Sequence, residues 1–151
     1  MTKWLTDDEQ QVWRLWLEVI QRQMIELEDD LQDHSSLTMS DYEILVTLSE
    51  SPSSEARMSE LADRAIISRS RLTYRVDRLV ERGLVTREDA GGDRRGVLAC
   101  LTPKGMQHLE DAAPHHVAKV QTLLFEHLTA EDLASLHRIL DRLTGPVRGS
   151  S

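Results

Sequence analysis

Residues 68–83, SRSRLTYRVDRLVERG, constrain the fold more than any other stretch of the 151-residue chain. Leu72, Val76, Leu79 and Val80 recur at i, i+4, i+7 and i+8, one apolar stripe on a helix of period 3.6. The opposite side carries Ser70, Arg71, Tyr74, Arg78 and Glu81, with Arg75 on its flank. One face is fit to pack on a core, and the other offers guanidinium, hydroxyl and phenol groups outward. Gly83, just past the last periodic residue, ends the helix. An ordinary surface helix balances its charges. This one sets Arg69, Arg71, Arg75, Arg78 and Arg82 against Asp77 and Glu81 alone.

The imbalance is local. Between Arg64 and Arg95 nine arginines meet five acids, a surplus of four positive charges. The net charge is −8, so the rest of the chain carries −12. A basic patch on an acidic body is the footprint of a DNA reader whose other surfaces avoid DNA.

The flanks of the basic helix fit that reading. Ser59 is expected to cap a short helix over 60–65, Ile66-Ile67 to make a turn, and Ser68 to cap the basic helix. Two helices joined by a tight turn, the second basic, form a helix-turn-helix. A strand over 84–87, a turn with Gly91-Gly92 and a strand over 97–101 then form a hairpin, a wing, with Val97, Ala99 and Leu101 on one face.

Long helices lie outside this core. Thr6 and Glu9 spell a capping box, so a helix is expected over 7–32 with a broad stripe running from Val12 to Leu31. Ser40 and Glu43 spell a second box, opening a helix over 41–50. Residues 51–57 make a connector with a weak β tendency at its end. Thr102 and Pro103, as N-cap and first helical residue, start a segment reaching about Leu128 that Pro114 is expected to kink or split. Thr129 and Asp132 open a last helix, which Gly145-Pro146 should end. The terminal helices carry more apolar surface than a small winged core can cover. Pairing with a second copy is the expected remedy.

The run MSELADRAIISRSRLTYRVDRLVERGLVTRE, followed by DRRGVLACLTPKG, resembles the MarR family of transcriptional regulators. Its most specific parts are L-A-D at 61–63, R-L-V-E-R-G-L-V at 78–85, D-R-R at 93–95 and L-T-P-K-G at 101–105. The resemblance implies a mainly α protein with a small β-hairpin wing: a winged helix-turn-helix core (38–102) flanked by long N- and C-terminal dimerisation helices (6–37 and 103–145). Residues 1–148 would form one domain and 146–151 a tail. It further implies a homodimeric regulator, most often a repressor, on a palindromic double-stranded operator, with the basic helix in the major groove. Ser68, Arg69, Ser70, Arg71, Thr73, Tyr74, Arg75 and Arg78 would then face DNA. Arg71 or Arg75 can donate bidentately to guanine, and the hydroxyls to phosphates or bases. By the family's D-x-R pattern, Arg95 would enter the minor groove, Asp93 would hold it, and Arg94 would meet phosphate.

Relatives of this kind often take small aromatic or phenolic anions as effectors between dimerisation helices and core. Trp13, Trp16, Met24, Tyr42, Leu45 and His116 are the candidates for lining such a space, although packing alone also accounts for them. No enzyme motif, metal-ligand spacing or cofactor loop stands out, so catalysis, a metal and a cofactor are not expected. His115-His116 are neighbours and do not share a helix face. Cys100, the single cysteine, leaves a redox-sensing regulator as an alternative, beside a winged-helix module that binds protein. The N-terminus is polar and no apolar run approaches the length of a membrane span, which predicts a cytoplasmic protein.

Overall fold

Thr6 opens the first helix as its spacing to Glu9 requires. In the computed structural model, which describes residues 1–91 and 96–148, the Glu9 N–H donates to Thr6 Oγ1 (3.2 Å) and the Thr6 N–H to Glu9 Oε2 (2.8 Å). Helix α1 (Asp7–Ser35) follows. It ends at Ser36, whose φ of 55° turns the chain sharply. Two distant side chains close that end: Arg82 donates to the Ser36 carbonyl (2.9 Å) and His108 to the Ser35 carbonyl (2.8 Å). Carbonyls in the last turn have no helical partner of their own, so these donors complete them.

Helix α2 (Met39–Ser49) starts earlier than the sequence reading placed it. Thr38 and Asp41, not Ser40 and Glu43, form the capping box, with both reciprocal bonds at 3.0 Å. The preceding Leu37 decides between the two local options. It is fully buried in the same cluster as Tyr42, which clamps the entry to a helix capped at Thr38.

A 3-10 turn (Pro52–Ser54) leads to β1 (Glu55–Arg57), the weak β tendency made real by pairing with β3 (Val97–Leu101). That strand carries the chain directly into α3 (Met58–Arg64). Its N-cap is therefore Arg57, without a side-chain bond, and Ser59 lies inside the helix rather than capping it. The turn at 65–67 brings the Ile67 N–H to the Ala62 carbonyl (3.0 Å) and holds Ile66 at a φ of 53°. A β-branched residue in the left-handed region costs about 1–2 kcal/mol.

Helix α4 (Arg69–Glu81) is the basic helix, with Ser68 as its N-cap. Leu72, Val76 and Leu79 are buried, each contributing about 2 kcal/mol of transfer free energy. Val80 belongs to the exposed side instead, at the edge of the stripe. After it the Gly83 N–H reaches the Val80 carbonyl (2.9 Å) and the Leu84 N–H the Leu79 carbonyl (3.0 Å), while Gly83 takes a φ of 73°. This closure uses Leu84, so β2 begins one residue late, at Val85, and runs to Asp89. The sheet is antiparallel in the order β1-β3-β2, with Val85 opposite Leu101 and Asp89 opposite Val97. Of the wing face read from the sequence, Ala99 is buried and Leu101 half-buried, but Val97 is exposed.

Helix α5 (Pro103–Leu123) has the expected Thr102 cap, its hydroxyl accepting the Gly105 N–H (2.9 Å). Pro114 does not split it; buried Leu109 and Ala112 before the proline and His116 after it pin both halves. By its internal contacts the chain divides into two units, 1–116 and 117–151. The first holds the winged core. The second holds the end of α5, a 3-10 turn (Phe125–His127) and α6 (Ala130–Arg148), opened by Thr129 and Asp132. Helix α6 continues through Gly145-Pro146, where the sequence reading ended it. Pro146 stands two residues before the helix's last residue, so what it disturbs is confined to the final turns. No described helix is long and apolar enough to cross a membrane.

Candidate nucleic-acid interface

The basic helix is amphipathic, so burying one side forces the other outward. Arg69, Ser70, Arg71, Thr73, Tyr74 and Arg78 are all exposed on α4, with Tyr74 at 56%. Tyr74 presents its ring between two guanidiniums, Arg75 at 5.5 Å and Arg78 at 5.8 Å from the centroid.

Polar contacts sort these residues. The Ser68 hydroxyl accepts the Arg71 N–H (3.4 Å), which leaves its own O–H free to donate. The Thr73 hydroxyl donates to the Arg69 carbonyl (3.0 Å), so its one proton is committed. Arg78 pairs with Glu81 at 2.8 Å, an exposed contact worth little. Arg75 points elsewhere. Its guanidinium lies 3.8 Å from Asp41 of the α2 capping box, in a setting that exposes only 7% of the Asp41 side chain. The sequence reading of Arg75 as a base reader thus meets a competing engagement, whereas Arg69 and Arg71 make no ion pair with any described residue.

Three residues to which the sequence reading gave no part in holding this helix keep it in place. Arg87, on β2, pairs with Asp77 of α4 at 2.7 Å and donates to the Thr73 carbonyl (3.2 Å), tying wing to helix. Lys104 donates to the Arg82 carbonyl (2.8 Å), and the Thr102 hydroxyl to the Gly83 carbonyl (2.7 Å). The T-P-K-G string therefore finishes the end of α4. Its polar composition gave a signal, but the partner, some twenty residues back, did not. Asp93, Arg94 and Arg95 of the wing lie outside the described residues.

The six residues read as lining an effector space do not share one. Leu45 is core. Tyr42 is buried, and its ring packs on that of His116 with centroids 4.3 Å apart. Burial pushes the His116 pKa down, opposed by the Asp30 carboxylate, and pushes the Tyr42 pKa up, assisted by Glu43. Trp13 and Trp16 are exposed on α1, Trp13 beside Trp4 and Leu5 in a shallow hollow. Met24 lines a different space, a cavity of about 580 Å³ bounded by α1, α2, the turn before α4 and Arg71. Glu28 and Glu43 stand in its wall.

The redox-sensing reading finds little support in the geometry. The Cys100 thiol lies 3.9 Å from Glu55, and burial with the Glu88 and Glu55 carboxylates pushes its pKa up. An oxidant-sensing thiol needs the opposite shift. Among the described residues no three His, Cys, Asp or Glu side chains gather as a metal site; His34 and His115 stack on each other, with centroids 4.3 Å apart.

Comparison with known proteins matches residues 35–96 to the sequence pattern of the MarR family. The structure of AbsC, a MarR family transcriptional regulator from Streptomyces coelicolor, is 45% identical, with 99% of this chain and 100% of that chain covered at a TM-score of 0.93. Sco3205, a MarR family transcriptional regulator from the same organism solved in complex with DNA, is 40% identical over 95% of this chain and 90% of that one, at a TM-score of 0.91. The HTH-type transcriptional regulator MhqR of Bacillus subtilis is 28% identical over 86 residues. That match takes in 57% of this chain and spans 59% of the length of MhqR.

Proposed function

The chain belongs to the MarR family of transcriptional regulators, and from that premise we propose that it is a homodimeric repressor of a near-palindromic operator, released by a small-molecule effector. In this reading α4 enters the major groove. Arg71 and Ser70 reach base edges, while Arg69, Tyr74 and the Ser68 hydroxyl meet phosphates. Arg95, held by Asp93, enters the flanking minor groove, and Arg94 contacts phosphate. Two-fold symmetry sets the two recognition helices about 34–36 Å apart, one duplex turn.

One observation carries the proposal: Arg69 and Arg71 stand exposed on α4 without an ion pair to any described residue, beside flanking arginines that are engaged. An unpaired guanidinium on a rigid helix face is ready for a phosphate or a guanine at no cost in broken contacts. The dimer is supported by exposed Val12, Trp13, Trp16, Val19 and Ile20 on α1 and, on α6, Leu133, Ile139, Leu140 and Leu143. Apolar side chains in such number mark an interface.

The test starts from genomic fragments selected by the protein, followed by binding titrations at several salt concentrations. Arg71→Ala should lower operator affinity by about 1–3 kcal/mol and relax sequence preference, while Arg95→Ala should lower affinity with the dimer intact by sedimentation. A wild-type protein that shows no sequence preference, or that sediments as a monomer at micromolar concentration, refutes the reading.

A further inference from the structure

We infer that Thr73 reads the 5-methyl group of a thymine in each operator half-site, and that it does so through its own methyl group rather than its hydroxyl. The inference rests on the regulator reading above, in which α4 lies in the major groove, and names one chemical group that the helix recognises there.

A threonine can meet a base in two ways, by a hydroxyl that donates or accepts and by a methyl that packs. In the free chain the choice is already made. The Thr73 hydroxyl turns back along the helix and donates to the Arg69 carbonyl (3.0 Å), so its one proton serves the backbone. Oγ1 and Cγ2 branch from the same stiff Cβ, so holding the first holds the second. The Thr73 carbonyl is held as well, by the Arg87 guanidinium of β2 (3.2 Å). Side chain and backbone of this exposed residue are thus set before a duplex arrives, and the branch left unengaged is apolar.

The neighbours leave the position to that methyl. Exposed Arg69 and Ser70, four and three residues earlier, share its side of α4. Asp77, four residues later, would bring a carboxylate charge towards the duplex, but Arg87 neutralises it at 2.7 Å. The middle of the row is therefore small, rigid and apolar. Among the groups that base pairs present in the major groove, the thymine methyl is the apolar one, so it is the partner that such a position selects. The rival use of the residue is Oγ1 accepting from an adenine or cytosine amino group, and the experiment separates the two.

The full chain first selects its operator. Each thymine is then replaced by deoxyuridine in both half-sites at once, which removes the methyl and leaves base pairing unchanged. At one symmetric position the wild type should lose three- to fivefold in affinity per half-site, the loss expected for one buried methyl. Thr73→Ser keeps the hydroxyl and lacks the methyl. It should bind the thymine operator as weakly as the wild type binds the deoxyuridine one, and lose nothing more on the replacement. Thr73→Val keeps a methyl and lacks the hydroxyl, and should still lose three- to fivefold per half-site on the replacement. Melting curves report that both variants are folded. A wild type with sequence preference but indifferent to every deoxyuridine overturns this inference alone. So does a Thr73→Ser that matches the wild type on both operators, or a Thr73→Val that no longer distinguishes thymine from deoxyuridine. A wild type without sequence preference overturns the regulator reading, and this inference with it.

Discussion

Gly105 offers the sharpest test of how α4 is held. It is the last residue of the L-T-P-K-G string, at the start of α5. A methyl group there would be driven into the Leu84 carbonyl oxygen, with Leu101 Cδ1 at 2.7 Å and the Leu84 carbonyl carbon at 3.0 Å. The same carbonyl already accepts the Thr102 N–H (3.1 Å), so it cannot swing aside without losing that bond. Overpacking against side chains costs about 1–3 kcal/mol, and against pinned backbone the upper end applies. The better helix propensity of alanine returns less than about 1 kcal/mol. Gly105→Ala should therefore cost about 2 kcal/mol, or a melting temperature lower by about 4–8 °C in a chain of this length.

Two other glycines calibrate this value. Gly83→Ala meets nothing closer than Lys104 at 3.8 Å but must hold a φ of 73°, which costs about 1 kcal/mol. Gly145→Ala has open space inside α6 and should stabilise by about 0.5 kcal/mol. Urea unfolding at one fixed protein concentration, followed by circular dichroism, ranks the three. If Gly105→Ala is as stable as the wild type, or less damaging than Gly83→Ala, the close approach of α5 to Leu84 is not what the position requires. Because Leu84 follows the end of α4, operator affinity should fall with stability in Gly105→Ala.

Asp41→Asn keeps the shape of the α2 cap but removes the charge facing Arg75, and should cost about 1–2 kcal/mol given that Arg75 is partly exposed. Adding Arg75→Met should restore most of that loss in a double-mutant cycle, and strictly additive losses would refute the pairing. His116 has a lowered folded pKa, so the unfolded chain binds its proton more readily. Stability is then complete above the unfolded value of about 6.5 and is lost as pH falls towards the folded pKa below it. His116→Gln should flatten the fall of the urea midpoint below pH 6.5, and an unchanged pH profile would remove His116 as a contributor.

What the sequence made legible was local. The stripe of α4, the Thr6 and Thr129 boxes and the Thr102-Pro103 start each depend on residues within one or two turns, and each forms where its spacing puts it. Between 38 and 43 two boxes overlapped, and only the burial of Leu37, a tertiary fact, chose between them. β1 was faint because a three-residue strand exists only through its partner, β3. The contact of Arg75 with Asp41, 34 residues away in sequence, leaves no periodicity to read. The cavity beside Ile66 is empty space between three elements, so no list of apolar residues could outline it. The list assembled from aromatic and apolar positions gathered three core residues, Tyr42, Leu45 and His116, two exposed tryptophans, Trp13 and Trp16, and only Met24 from that space.

The same distinction changes what the basic stretch means. Counted along the chain, nine arginines between Arg64 and Arg95 look like nine phosphate contacts in each subunit. In the fold Arg64 donates to the Ser51 hydroxyl (2.7 Å), Arg82 closes α1, Arg75 faces Asp41, Arg87 faces Asp77 and Arg78 faces Glu81. Arg64, Arg75, Arg82 and Arg87 are thus engaged with the framework around α4, and under the proposed reading Arg69 and Arg71 are the described arginines of this stretch left for DNA. With Arg94 and Arg95 added, a dimer would neutralise about eight phosphates. The logarithm of its operator affinity should then fall against the logarithm of salt concentration with a slope of about −7, whereas full use of the arginines would give about −16. A measured slope near the larger value would mean that the framework pairs open on binding, and that the geometry of the free protein misstates which side chains meet the duplex.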